Sequence, residues 1–130
     1  MEEIVISRPV GEWAAIVSAI VTIGFGTICF FAPKTTYKIL RLRTLEDVPE
    51  ALSESRGTMA GFYLGVGILA ILFSQPLLWL ALGAGWAFTV LGRFVSIIFD
   101  RGNTAFNWIS ISIEAGLAAG PLVYGYTSLF

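Results

Sequence analysis

Four stretches of this chain run for close to the length of a membrane-spanning helix with almost no charge in them: residues 10–32, 56–74, 77–99 and 104–128. A helix that crosses the hydrocarbon core of a bilayer needs about 20 predominantly apolar residues. Three of the stretches meet that length, and the second lies near its lower edge. Any fold for this chain must hide all four. In water it lacks the polar residues to do so. Apolar types make up 56% of the 130 residues and charged types 13%, against about 25% charged in a soluble domain. Mean hydropathy is +0.80. The sequence lacks the alternating ten-residue segments that mark a transmembrane barrel. The expectation is one all-α domain over residues 1–130, an integral membrane four-helix bundle with antiparallel neighbours.

Composition also excludes classes of function. A net charge of −1 leaves no basic footprint for nucleic acid. There is no histidine and a single cysteine, Cys29. Imidazole or paired-thiolate metal sites and Ser-His or Cys-His catalysis are therefore not available. No metal, no cofactor and no catalytic set is expected, and Cys29, in an apolar run, reads as a packing residue. The start, Met1-Glu2-Glu3-Ile4, is acidic and lacks a basic n-region, so a cleaved signal peptide is not expected.

The links carry the topology signal. Ser74-Gln75-Pro76 and Arg101 to Asn103 are tight, so the last three runs lie antiparallel to their neighbours. Both termini then share one side, opposite the 34–55 segment and the 100–103 turn. Lys34, Lys38, Arg41, Arg43, Arg56 and Arg101 gather on the second side, and only Arg8 on the first. The positive-inside rule places the 34–55 loop in the cytoplasm and both termini outside. Glu46, Asp47, Glu50 and Glu54 share that loop but count little in the rule. Glu50 to Ser55 are candidates to extend the second helix outward, with Asp47 near its start and Pro49 in its first turn. Thr35 to Arg43 mixes Tyr37, Ile39, Leu40 and Leu42 with Lys38, Arg41 and Arg43. It reads either as an interfacial segment on anionic headgroups or as a plain polar loop. Trp13, Trp79, Trp86 and Trp108 lie mostly towards span ends, where indoles favour the interface. Phe25, Phe30, Phe31, Phe88 and Phe94 read as lipid-facing or packing residues.

Lipid tails give helices no hydrophobic reason to associate, so close backbone approach does much of that work. Each run carries small residues four apart: Ser18, Thr22 and Gly26; Gly57, Gly61 and Gly65; Ala81, Gly85 and Thr89; Ser112, Gly116 and Gly120. These faces serve either packing within one bundle or, above all for the Gly57-Gly61-Gly65 stripe, contact with another subunit.

Two charges lie deep inside runs. Arg93 is about six residues inside the end of the third and Glu114 about nine inside the start of the fourth. A charge at the bilayer centre costs about 2.5–3.5 kcal/mol on insertion scales, so such residues persist when paired, hydrated or used. Thr89, Arg93, Ser96 and Asp100 recur at helical spacing, as do Asn103, Asn107, Ser110 and Glu114. Folding the hairpin near residues 101–104 brings Arg93 and Glu114 to similar depth, where they are expected to form an ion pair. Glu54 and Arg56 enter the second run from the same side, and Tyr63 lies seven residues beyond Arg56. The expected polar cluster is Arg56, Tyr63, Arg93, Ser96, Asp100, Asn107, Ser110 and Glu114, with Glu54 and Arg101 at its margin. It serves either as a register-fixing network or as a pocket or ion path.

The same residues carry a resemblance. Glu54-Ser55-Arg56-Gly57, followed by Gly61-Phe62-Tyr63-Leu64-Gly65-Val66-Gly67, resembles the second helix of the domain-of-unknown-function 4345 family, small bacterial proteins with four predicted spans. Leu91-Gly92-Arg93-Phe94-Val95-Ser96, with Asp100 and Gly102 after it, is similar to the end of that family's third helix. Ile113-Glu114 is similar to its fourth-helix acidic position, and Pro33 followed by a polar loop fits as well. The resemblance implies a four-helix integral membrane protein and singles out Arg56, Arg93 and Glu114. It brings no established activity.

Three kinds of function are consistent with these features. The one the sequence favours is a non-enzymatic accessory or structural subunit or homo-oligomer that acts through helix association, with membrane lipids and another membrane protein as partners. The second is a binder or transporter of a small amphiphilic ligand that uses the Arg93/Glu114 cluster. An enzyme stays open only through acid–base chemistry by Glu114 and Tyr63, for which the sequence offers no substrate.

Overall fold

A computed structural model describes residues 2–45 and 48–129, and all regular structure among them is helical. The helices are α1 (Glu2–Phe31), α2 (Pro33–Ile39), α3 (Glu50–Phe73), α4 (Pro76–Phe99) and α5 (Ala105–Leu129). Within α3, Ser55–Met59 forms a π-helical turn between α-helical Glu50–Glu54 and Ala60–Phe73. Four segments are long and apolar enough to cross a membrane: Val10–Phe31, Glu50–Phe73, Pro76–Phe99 and Ala105–Leu129. The second span therefore begins six residues earlier than its apolar run, at Glu50, with Pro49 in the capping position. The expected contribution of Asp47, like that of Glu46, lies outside the described residues.

The bundle is antiparallel. The α4–α5 hairpin has the most extensive interface, α1 packs against both α3 and α5, and the α3–α4 contact is the thinnest of the four. Ala15, Ala19, Ala70, Trp79, Leu82, Trp86, Leu117 and Ala118 form the buried centre. The large apolar residues elsewhere point outward, among them Phe31, Phe62, Leu72, Phe88, Ile98 and Phe99. In lipid such exposure needs no burial to compensate it. Trp79 and Trp86 depart from the interfacial expectation, being 1% and 6% exposed. Each indole N–H finds an internal acceptor: Trp86 donates to Thr22 Oγ1 at 2.9 Å and Trp79 to Ser74 Oγ at 3.2 Å. Polar satisfaction lets the large rings serve as core. Trp13 and Trp108 remain exposed.

Prolines explain two of the interhelical hydrogen bonds. Proline has no N–H, so the carbonyl four residues before it loses its helical donor. Inside a bilayer an unpaired carbonyl costs several kcal/mol. Pro121, within α5, orphans the carbonyl of Leu117, and Ser18 Oγ of α1 donates to it at 2.6 Å. Pro33, at the end of α1, orphans the carbonyl of Cys29, and Ser55 Oγ of α3 donates to it at 2.8 Å. Both serines are fully buried. Ser18→Ala and Ser55→Ala are each expected to cost about 1–3 kcal/mol, the penalty for a buried acceptor left unmade. Reversible unfolding in mixed micelles measures the loss, and two wild-type-like stabilities would refute the proline account.

Candidate functional site

The site grows out of the α4–α5 hairpin. Ser96 of α4 closes the turn: its carbonyl accepts the N–H of Asp100 at 2.8 Å and of Gly102 at 3.1 Å. Thr104 caps α5, its Oγ1 accepting the backbone N–H of Asn107 at 3.2 Å. That cap fixes Asn107 one turn into the helix. Its Nδ2 donates to the carbonyl of Gly102 at 2.8 Å, which leaves Oδ1 facing α4. Arg93 Nη1 donates to that oxygen at 3.0 Å. Arg93 Nε donates to both carboxylate oxygens of Glu114, at 2.9 and 2.8 Å. The pair is a salt bridge whose side chains are 22% and 9% exposed, the carboxylate being the more deeply placed. Phe106 lies under the guanidinium, its ring centre 5.8 Å from Cζ, within cation–π range.

Beside this polar centre lies a cavity of about 300 Å³. All four spans contribute to its wall, and Thr36, Ile39 and Leu40 close it from the α2 segment. The stretch read as interfacial segment or loop therefore also helps enclose the interior. Tyr63 and Trp86 form one wall, their rings stacked at 5.7 Å and 9°. Phe25 leans on Trp86 at 6.1 Å. Arg93, Ser110 and Glu114 are the polar face, with the thiol of Cys29 nearby on the same lining.

Tyr63, Arg93, Ser110 and Glu114 thus share the cavity, and Asn107 supports it from behind Arg93. Arg56, Ser96 and Asp100 do not join them. Arg56 is exposed, and its Nη1 donates to the carbonyl of Phe30 at 2.7 Å. It caps the end of α1 beside the proline break. The π-helical turn explains the difference: its wider turn rotates Ala60–Phe73 relative to Arg56, so seven-residue spacing no longer holds Tyr63 and Arg56 on one face. Asp100 ends α4 in an exposed position, and Ser96 acts through its carbonyl in the turn. Glu54 and Arg101 are likewise exposed.

The small-residue faces divide in the same way. Ser18, Thr22 and Gly26 of α1 are buried, Ser18 against Leu117 of α5, Thr22 against Trp86 of α4 and Gly26 against Leu64 of α3. Gly120 meets α1 so closely that an added Cβ would lie 2.9 Å from the carbonyl oxygen of Ala14. Gly57, Gly61, Gly65, Gly85 and Gly116 meet nothing within 4 Å, so the expected packing role within the bundle is not theirs. Further close approaches fall at Gly67, against Ile23 and the Ala19 carbonyl, at Gly83, against Leu122 and the Ala118 carbonyl, and at Gly125, against Leu80 and the Pro76 carbonyl.

Sequence reasoning named Ser18 and Ser55 without their hydroxyl bonds, and missed Phe106 and the part of α2 in the cavity lining. For the serines a signal exists: each in-span or span-ending proline announces one orphan carbonyl, and a small hydroxyl on a neighbouring span can answer it.

A comparison with known families covers most of the chain. The model described as "Domain of unknown function (DUF4345)" matches residues 10–125. This chain belongs to the DUF4345 family. The match takes in the first three spans, the fourth as far as Gly125, the cavity lining and the Arg93–Glu114 pair. No curated protein and no solved structure matches the chain. The DUF4345 description assigns no activity.

Proposed function

We propose that this DUF4345 protein is a small-molecule-binding protein of the cytoplasmic membrane, and that its ligand is a small amphiphile held inside the bundle. One observation carries the reading: an ion pair with an oriented Asn107 lines a cavity of about 300 Å³ whose other walls are mainly apolar and aromatic. Ligand sites in proteins run from about 300 to 1,000 Å³, apolar with a few placed polar groups. A pair needed only to fix register requires no such space beside it. The Lys34, Lys38, Arg41, Arg43 side supports a cytoplasmic 34–55 loop and extracytoplasmic termini. On that reading the cavity opens in the cytoplasmic half of the membrane.

The test fills the space. Wild type and Ser110→Phe are extracted into native-lipid discs, and co-isolated small molecules are identified by mass spectrometry. Wild type is expected to carry a specific molecule whose occupancy falls about tenfold or more in the variant, a change near 1.4 kcal/mol in binding. Equal occupancy in the two, or no specific molecule in wild type, overturns the reading.

A second reading, association with another membrane protein or a second copy, is supported by one observation. The Gly57-Gly61-Gly65 stripe of α3 is open and exposed. Small residues four apart let helix backbones meet closely. Such a protein would act as an accessory subunit, and a monomer with no partner in native membranes counts against it.

A further inference from the structure

The ligand-binding reading above is the basis for a narrower one, which concerns the charge of the ligand. The polar end of the cavity is electrically balanced. Arg93 brings one positive charge and Glu114 one negative charge, 2.8 Å apart. The rest of the lining carries hydroxyl, thiol, aromatic and aliphatic groups and no further charge.

Balance does not exhaust the donors. Both oxygens of Glu114 converge on Nε, and Asn107 takes Nη1. Arg93 Nη2 donates to none of the described residues, nor does the hydroxyl of Tyr63. Two residues of the lining, Arg93 and Tyr63, therefore hold unused hydrogen-bond donors, and the lining as a whole carries no net charge.

That combination selects a ligand class. A carboxylate bound there would leave one uncompensated negative charge in apolar surroundings, beside Glu114, at a cost of several kcal/mol. An ammonium group would add to Arg93 in the same way. A neutral acceptor oxygen takes the Nη2 hydrogen and leaves the balance untouched. Ile28, Ile39, Met59, Ile113 and Leu117 receive the hydrocarbon body. We propose that the cavity binds a neutral lipophilic carbonyl compound, such as a ketone, ester or quinone. Its oxygen lies on Arg93 Nη2 and the Tyr63 hydroxyl, and the site rejects the carboxylate of matching chain length.

The probes are methyl nonyl ketone and decanoate, each isotope-labelled at the carbonyl carbon, added to the protein in phosphatidylcholine discs. Empty discs correct for partition into lipid. Wild type is expected to bind the ketone saturably and about tenfold or more tighter than decanoate. Its carbonyl stretch is expected at lower frequency than in empty discs, as a charge-assisted hydrogen bond requires. Tyr63→Phe should weaken the ketone severalfold. Glu114→Gln keeps the size of the side chain and removes the counter-charge, so the preference should reverse towards decanoate by about tenfold or more. Should Glu114→Gln fail to fold, the wild-type ratio and the carbonyl stretch decide. Decanoate bound as tightly as the ketone in wild type overturns the neutral-carbonyl proposal while leaving a ligand site. Saturable binding of neither probe, in discs whose protein carries no specific molecule, overturns the site itself.

Discussion

Arg93→Ala is expected to destabilise the folded bundle by about 3–5 kcal/mol, the usual cost of stranding one partner of a buried ion pair. Glu114→Ala is expected to cost roughly half as much or less. The asymmetry follows from depth and reach. Glu114 has a side chain 9% exposed on the inner face of α5, and Arg93 is its hydrogen-bond partner among the described residues, so removing Arg93 strands the carboxylate. Arg93 is 22% exposed and lies six residues before the end of α4 at Phe99. Its long side chain can turn towards the interface once Glu114 is gone, and Asn107 and Phe106 still hold it. The double change Arg93→Met/Glu114→Leu should recover most of the loss, because apolar replacements of similar volume remove both desolvation penalties together. Unfolding free energies of all three variants in bicelles give the comparison. Wild-type-like stability of Arg93→Ala would mean that the pair contributes nothing to the fold. A double variant no better than Arg93→Ala would mean that packing around the two stems, and not charge, sets their worth.

Much of this arrangement was legible in the sequence, and the parts that were not have physical causes. The four spans follow from hydropathy and length, because lipid leaves few alternatives to a helix. The Arg93–Glu114 pair follows from helical spacing on both sides of a tight turn, with no knowledge of the other spans. Arg56 fails that logic because spacing presumes an unbroken α-helix. The π-helical turn at Ser55–Met59 breaks the period one residue after Glu54, and no apolar pattern marks it. Trp79 and Trp86 mislead for another reason: an indole reads as interfacial by type, but a hydroxyl within reach makes it a core residue. The α2 segment, too short for a clear amphipathic pattern, hid its role in closing the cavity. The small-residue faces were the least legible. Glycine is tolerated on a helix face whether lipid or protein covers it, so four-residue spacing occurred in every span and chose between no faces.

That ambiguity yields the second large prediction. Gly83→Leu should destabilise the bundle by about 3 kcal/mol or more, beyond the usual range for an overfilled core, while Gly61→Leu should leave its unfolding free energy within about 0.5 kcal/mol of wild type. A Cβ at Gly83 would lie 2.6 Å from Leu122 Cγ, 2.9 Å from the Leu122 nitrogen and 3.0 Å from the Ala118 oxygen. Leu122 Cγ could swing away, but the other two atoms are backbone of α5, fixed by the most extensive interface of the molecule. Relief requires α4 and α5 to part, and the Arg93–Glu114 pair spans the same interface. Gly83→Leu should therefore also weaken that pair and the cavity it lines. At Gly61 a Cβ meets nothing within 4 Å, so leucine only adds surface to a lipid-facing helix. The same two variants separate packing from association. If α3 meets another subunit through its open stripe, Gly61→Leu should lower that assembly in native membranes without changing the unfolding free energy of the isolated chain. Equal destabilisation by the two leucines at high dilution would place the helices differently from the arrangement described, because it would require α3 to pack inside its own bundle through the face that is open here.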